Sequence, residues 1–568
     1  MHSGRTIILL ILFILPVCLK VTAQEESLSM RYYDRAQHQR DIADDLYAKK
    51  GATPQDIAKG IDLLKATIRF LDSIPVFELA EGNIYLKGRT HDVYMDLARA
   101  YSIANKKDLA FDALEKMYGS GVFSSTASYL ERDSGYMAIR SDPRFVSFIN
   151  KIKRTGDLYS NTALKTPYKE NLSNEEKVAG LSLLWMEARA NFVYFDRLKT
   201  DWNKTYLDYL TLVNNTKNTA DYYKVLMRFY AELHDGHTNV YPPKELTNDF
   251  YSRPPVRALL IDGRVFVAEV FSDSLKKTGI IPGLEITKID GEPVIAYAEK
   301  NIRPYQSSST PQDLEIREYY YALFSGPADK PVNLEFKDRK GRVFSKVVSR
   351  RGYHDVRYLP SVSYQTIGDI GYLQVNEFET NAVVKQVDSL FKNQIMNTKG
   401  LIIDVRNNGG GSSGIGYNII RKLTDKPFKT SASKVIKYYS RPGTETQWAI
   451  NETGEWQPDG KIFYDKPVIV LTGPRTFSAA EDFVVAFDYM KRGKLVGQAT
   501  GGSTGQPYGF TLPGGGSARV CSKRDSYPDG KEFVGIGIQP DIVVAPTAED
   551  LQNGTDAAKE KALALLQK

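Results

Sequence analysis

Val468-Ile469-Val470-Leu471-Thr472-Gly473-Pro474-Arg475-Thr476-Phe477-Ser478-Ala479-Ala480-Glu481-Asp482 decides how this chain is read. Its first five residues are apolar or β-branched without alternation, which fits a strand covered on both faces. Gly473-Pro474 ends that run. An amphipathic helical stretch follows from Ala479 to Tyr489. Ser478 therefore stands at a helix N-terminus, where free backbone N–H groups and the helix dipole favour negative charge. A serine nucleophile needs that setting, because its attack leaves an oxyanion beside it. Serine is also a favoured N-cap with no further duty, and this loop alone favours the plainer reading.

Outward from that passage the same texture continues. Ile370–Val375 and Leu401–Val405 are further buried runs, and Ala382–Phe391 and Ile415–Leu423 are amphipathic helical stretches. Strands alternating with helices make an α/β core, placed at 367–549, with a helix or tail over 550–568. Ala518–Cys521 reads as a strand, and Cys521 as a structural residue. The loop Asp404-Val405-Arg406-Asn407-Asn408-Gly409-Gly410-Gly411-Ser412-Ser413 leaves one buried strand. Consecutive glycines let backbone amides approach a ligand and point the same way. That suits an oxyanion hole; a phosphate loop of the P-loop kind would end in Gly-Lys-Ser/Thr, which is missing.

Upstream, Asp235-Gly236-His237-Thr238 is a turn between a helical segment and Pro242-Pro243, which forbids helix. The chain has six histidines. A histidine on a Gly-flanked turn can take a proton from serine. His234 and His237 lie three apart, but no companion motif completes a metal site, and no metal or other cofactor is expected. Residues 174–250 read as the helical first part of the same module, after a polar linker from Thr155 to Ser173. Residues 254–351 change to short strands, with period-two alternation over Arg264–Val270 and an Asp290-Gly291 turn. From Ile281 to Val294 the chain resembles a PDZ domain, which implies recognition of an extended peptide by strand addition. Residues 24–155 are helical. Tyr94, Leu97, Ala98 and Tyr101, then Leu109, Ala110, Ala113 and Leu114, flank Asn105-Lys106-Lys107 like a tetratricopeptide unit. Such helices either bind a protein partner or only cap the rest of the chain.

The composition narrows the class. The 568 residues are 42% hydrophobic and 25% charged, with a net charge of +7 spread along the chain. This is globular composition, and no concentrated basic patch speaks for nucleic acid. Arg5, the apolar run Ile7–Cys18 and Val21-Thr22-Ala23 have the layout of a secretory signal peptide over residues 1–23. A secreted or periplasmic protein without a membrane span is the expectation. With Cys18 removed, Cys521 stands alone and an intrachain disulfide is excluded.

In order, the chain holds a Gly-His-Thr turn, a PDZ-like insert, an Asp-x-Arg-x-Asn-x-Gly-Gly loop, Thr-x-Ser-Ala-x-Glu, and finally Gly535-Ile536-Gly537-Ile538-Gln539-Pro540-Asp541-Ile542. This combination resembles the C-terminal processing (tail-specific) serine peptidase family, particularly its tricorn-core-like branch, from about Asn174 to Pro546. The resemblance implies an α/β peptidase core of the Clp protease and crotonase kind, with an inserted PDZ-like β domain. It implies hydrolysis of unfolded proteins or peptides. Ser478 matches the nucleophile and His237 the general base; Ala479 and Gly409 or Gly410 match the oxyanion-hole donors. One branch of the family uses a Ser-Lys dyad. Here Thr500-Gly501-Gly502-Ser503-Thr504-Gly505 contains no Lys, which speaks against that mechanism. In the tricorn core protease a Ser precedes the catalytic His, and a Glu near the C-terminal motif completes a tetrad. Here Gly236 precedes His237, so the group orienting the imidazole is left between Glu532, the first candidate, and Asp235. Related domains also serve as silent binding modules; loss of Ser or His would mark one, and both residues are present.

Overall fold

The apolar runs of the core assemble into one six-stranded sheet whose spatial order follows the chain: 362–367, 370–375, 400–404, 468–472, 494–497 and 542–543. The first two form an antiparallel hairpin and the rest are parallel. Parallel neighbours need crossover connections. Helices Asn381–Asn393, Ser413–Ile420 and Ala479–Tyr489 lie in the first three of them. Gly400–Asp404 and Val468–Thr472 are buried along their whole length. In register, Asp404 faces Leu471 and Thr472 faces Gly497, so these strands end along one carboxyl edge. That edge is where open α/β sheets carry their sites.

The computed structural model describes residues 28–75, 86–121, 126–159, 164–351, 359–437, 447–451 and 454–567. The signal-peptide reading of residues 1–23 lies outside them. Among the described residues no helix is long and apolar enough to cross a membrane. The sequence-read core strands and helices coincide with the observed ones to within two or three residues at each end.

Helices Asn174–Asn191, Trp202–Asn214 and Thr219–Ala231 share one apolar cluster with the core. The polar stretch expected as a linker is partly otherwise. Helix Pro143–Tyr159 runs into it, and its later part is strapped down. Gly514 N–H donates to Thr166 O at 3.1 Å, and Thr219 N–H to Glu170 O at 2.8 Å. Residues 256–348 form a six-stranded antiparallel sheet with its own core. Asp262-Gly263 and Asp290-Gly291 both take positive φ, as tight hairpin turns require.

Helices between Leu28 and Tyr159 bury a separate cluster. Leu86–Ile103 and Lys107–Gly119 are the helical pair read from the sequence. Leu109 is a correction: it is 45% exposed. Ala110, Ala113, Leu114 and Met117 make the buried stripe at helical spacing, and Leu109 points off its edge.

Phe483, fully buried, joins the Ala479–Tyr489 helix to Phe378, with ring centroids 6.1 Å apart. Phe483→Ala should cost about 3–5 kcal/mol of unfolding free energy. Urea denaturation should show this as a lower midpoint at an unchanged slope.

Candidate active site

Three loops leave the carboxyl edge of the sheet and meet at Ser478. The residue has φ 57° and ψ −127°, a conformation that costs a non-glycine residue about 1–3 kcal/mol. The neighbouring loops hold it there. Ser478 N–H donates to Ser503 O at 3.1 Å, and Phe477 N–H to Asn408 O at 3.0 Å. Thr476 Oγ1 donates to Val405 O at 2.9 Å. A Cβ on Gly410 (φ 103°) would lie 2.7 Å from Ser478 Cβ, so only glycine fits against the strained serine. The Ser478 hydroxyl makes no cap bond to the helix it precedes. It points instead to His237, 3.1 Å from Oγ to Nε2.

His237 is held from every side. Its backbone N–H donates to Asp235 Oδ1 at 3.0 Å, and Thr238 Oγ1 donates to the same oxygen at 2.8 Å. Its ring stacks on Phe477 with centroids 4.8 Å apart. Nδ1 lies 2.9 Å from Ser503 Oγ. The glycine before it is required by that contact: a Cβ on Gly236 would meet Ser503 Oγ at 2.8 Å and Phe477 Cζ at 2.9 Å. Burial, then the cations Arg519, Arg317 and Lys523, hold the imidazole pKa well below its usual value.

The structure places neither expected carboxylate at Nδ1. Glu532 is ion-paired with Arg524 at 2.7 Å and Arg197 at 2.8 Å. Asp235 folds the turn through its backbone and Thr238 contacts, and burial raises its pKa. Ser503 occupies the position instead. Sequence reasoning missed it, although it lies in the Thr500–Gly505 loop that carries no Lys. It also missed Glu481. This fully buried carboxylate accepts from Thr500 Oγ1 at 2.5 Å, Gly502 N–H at 2.8 Å and Ser503 N–H at 2.8 Å. Burial pushes its pKa up to about 8 against those donors. The signal was a Glu three residues into the helix that Ser478 opens.

Of the expected oxyanion donors, Gly410 N–H is already bound to Asn408 Oδ1 at 2.9 Å. Among the described residues no partner is found for the N–H of Gly409 or Ala479. Gly409, Gly411, Ser478 and His237 line a cavity of about 520 Å³. The π-helical turns of Ile316–Ala322 add Arg317 and Tyr321 to its wall. Among the described residues no group of three or more His, Cys, Asp or Glu could hold a metal ion. Cys521, buried and unpaired, packs under Gly505 outside this cavity.

Comparison with known proteins bears on this arrangement. Residues 369–544 match the family described as "Peptidase family S41". A "Carboxyl-terminal-processing protease" of Synechocystis sp. is 28% identical over 175 residues, 31% of this chain and 38% of that protein. A "Probable CtpA-like serine protease" of Staphylococcus haemolyticus is 25% identical over 285 residues, 50% of this chain and 51% of that protein. The chain thus spans about half or less of the length of these curated relatives. The solved structure of mature CPAF complexed with lactacystin shares the fold, with a TM-score of 0.54 at 17% identity. The match covers 69% of this chain and 98% of that one. The sheet that ends at Asp404, Thr472 and Gly497 is therefore the part of this chain that matches peptidase family S41, and over it the chain is similar to the carboxyl-terminal-processing proteases.

Proposed function

We propose that this chain is a serine endopeptidase acting on unfolded proteins or peptides. The observation that carries the reading is the row Ser478 Oγ, His237 Nε2, His237 Nδ1, Ser503 Oγ, with contacts of 3.1 and 2.9 Å. For Nε2 to accept, Nδ1 must carry the ring proton, and Ser503 Oγ is there to receive it. His237 then takes the Ser478 proton as Oγ attacks the peptide carbonyl carbon. The N–H groups of Ala479 and Gly409 face the developing oxyanion. His237 returns the proton to the leaving amine, which departs as the C–N bond breaks. Water, deprotonated by His237, cleaves the acyl ester and restores Ser478. Asp235 and Glu481 are positioning residues: one shapes the His turn, the other fixes the Ser503 loop. The PDZ-like sheet of 256–348 presents the extended substrate, and residues 1–23 direct export. A silent binding module of the same fold is the other reading. It would bind peptides and cleave none.

Mass spectrometry of unstructured peptides incubated with the chain tests this. Cleavage should be lost in Ser478→Ala and His237→Ala, on the order of 10⁴-fold or more in kcat. Ser503→Ala should lose less, on the order of 10- to 100-fold. Full activity in Ser478→Ala would end the proposal.

The depressed His237 pKa sets the pH profile. The imidazole must be neutral to act, and its pKa lies below 6.5. So kcat/KM should hold as pH falls from 8 to 6.5 and decline only below that. A midpoint above 6.5 would contradict the assignment of the base.

Glu481→Gln turns one of the two oxygens that accept from Thr500, Gly502 and Ser503 into an NH2 group. At least one of the donors on Thr500, Gly502 and Ser503 then faces an N–H group. A loss of about 1–3 kcal/mol is expected, read in thermal or urea unfolding, with a fall in kcat.

A further inference from the structure

Three arginines, Arg317, Arg475 and Arg519, line the cavity in front of Ser478. Two are already occupied. Arg317 is paired with Asp313 at 2.7 Å and donates to Gly236 O at 3.0 Å. Arg475 is bonded to Asn407 and lies 3.7 Å from Glu269. Arg519 is different. Its Nε and Nη2 both donate to Asn239 Oδ1, at 3.0 and 2.9 Å. That amide fixes the guanidinium plane without cancelling its charge. Among the described residues no carboxylate lies within ion-pair distance of Arg519. Half-buried charge is ordinarily paired, so a guanidinium whose charge meets only the Tyr241 ring, 5.7 Å from its centroid, is prepared for an anion.

Its placement supports this. Arg519 sits in the strand Ser517–Cys521, directly opposite Asn239, two residues beyond His237. On its other side it faces Gly509. That glycine has no side chain, and a Cβ there would meet only Ala518 O, at 3.9 Å. One flank of the guanidinium is therefore tethered and the other open. Nη1 and the second N–H of Nη2 are left for a planar acceptor, and a carboxylate fits that fork.

We propose that Arg519 is a specificity residue that binds a carboxylate of the peptide substrate beside Ser478. The carboxylate comes either from an Asp or Glu side chain or from the free C-terminus of the peptide. The inference rests on the peptidase reading of this cleft, and a test by binding separates the two. The full chain carrying Ser478→Ala is titrated with fluorescent peptides in matched pairs. In one pair Glu is exchanged for Gln with the C-terminus amidated; in the other a neutral peptide ends in a carboxylate or an amide.

At least one pair should differ by roughly tenfold in Kd, in favour of the carboxylate. Adding Arg519→Gln should bring that pair to within about twofold, whereas Arg519→Lys, which keeps the charge, should retain part of the difference. Which pair responds tells which carboxylate is read. Equal affinities in both pairs with Arg519 intact would overturn the proposal. So would a preference that survives Arg519→Gln, because that carboxylate would be bound elsewhere. Circular dichroism and the melting temperature of each variant confirm that the protein titrated is folded; if Arg519→Gln melts early, the Arg519→Lys titration decides, and a complete loss of preference there with the charge kept counts against the proposal. A chain with Ser478 intact that cleaves nothing while its Ser478→Ala form keeps this preference would refute the peptidase and leave the carboxylate site standing.

Discussion

The Glu481 carboxylate is the constraint on which the site depends. Its donors on Thr500, Gly502 and Ser503 tie the helix that begins at Ser478 to the loop that ends at the imidazole's partner. Thr500 Oγ1 also accepts from Ile538 N–H at 2.7 Å, so the Gly-rich stretch around Gly537 is drawn into the same network. Ser478 N–H closes the circuit on Ser503 O. A carboxyl group taken fully out of water is costly. Here that burial gives one rigid frame for Ser478 and for the hydroxyl at Nδ1, which come from different loops.

Within that frame the strain at Ser478 has an explanation. Parallel strands ending in register deliver their loops to a single edge, and backbone from 405–410 and 500–503 crowds the turn out of Thr472. The serine cannot relax into an ordinary N-cap, because its N–H is held by Ser503 and Gly410 fills the space against its Cβ. Glycine is needed at 236 and 410 for steric reasons: any Cβ there would fall on Ser503, Phe477 or Ser478.

This division also explains what could be read from the sequence. Buried parallel strands announce themselves by continuous apolar runs, so Ile370–Val375 and Val468–Thr472 were legible almost to the residue. The motifs around Ser478 and His237 drew attention only in combination: a serine at a helix N-terminus is ordinary by itself, and it was the order of the loops along the chain that carried the resemblance. The orienting group was not. The family resemblance pointed to a carboxylate, Glu532 first and Asp235 second; geometry supplies a neutral hydroxyl. Ser503 has no signature in one dimension, since its role arises only where the 500–505 loop passes His237. Leu109 shows the same limit on a helix, where one step of register separates the core from solvent.

A neutral partner changes the electrostatics of the proposed base, His237. With a carboxylate at Nδ1 the imidazolium formed during attack would be stabilised directly. Here Ser503 fixes the tautomer without supplying negative charge, and burial first, then Arg519, Arg317 and Lys523, press the same ring toward neutrality. In the proposed mechanism the resting base is thereby kept free of its proton, at the expense of proton affinity when Ser478 is deprotonated. A substrate carboxylate seated on Arg519 would cancel part of that cationic field as it binds. Recognition and base strength would then be coupled through one guanidinium, and the substrate that fits the cleft would also be the one that makes His237 a stronger base.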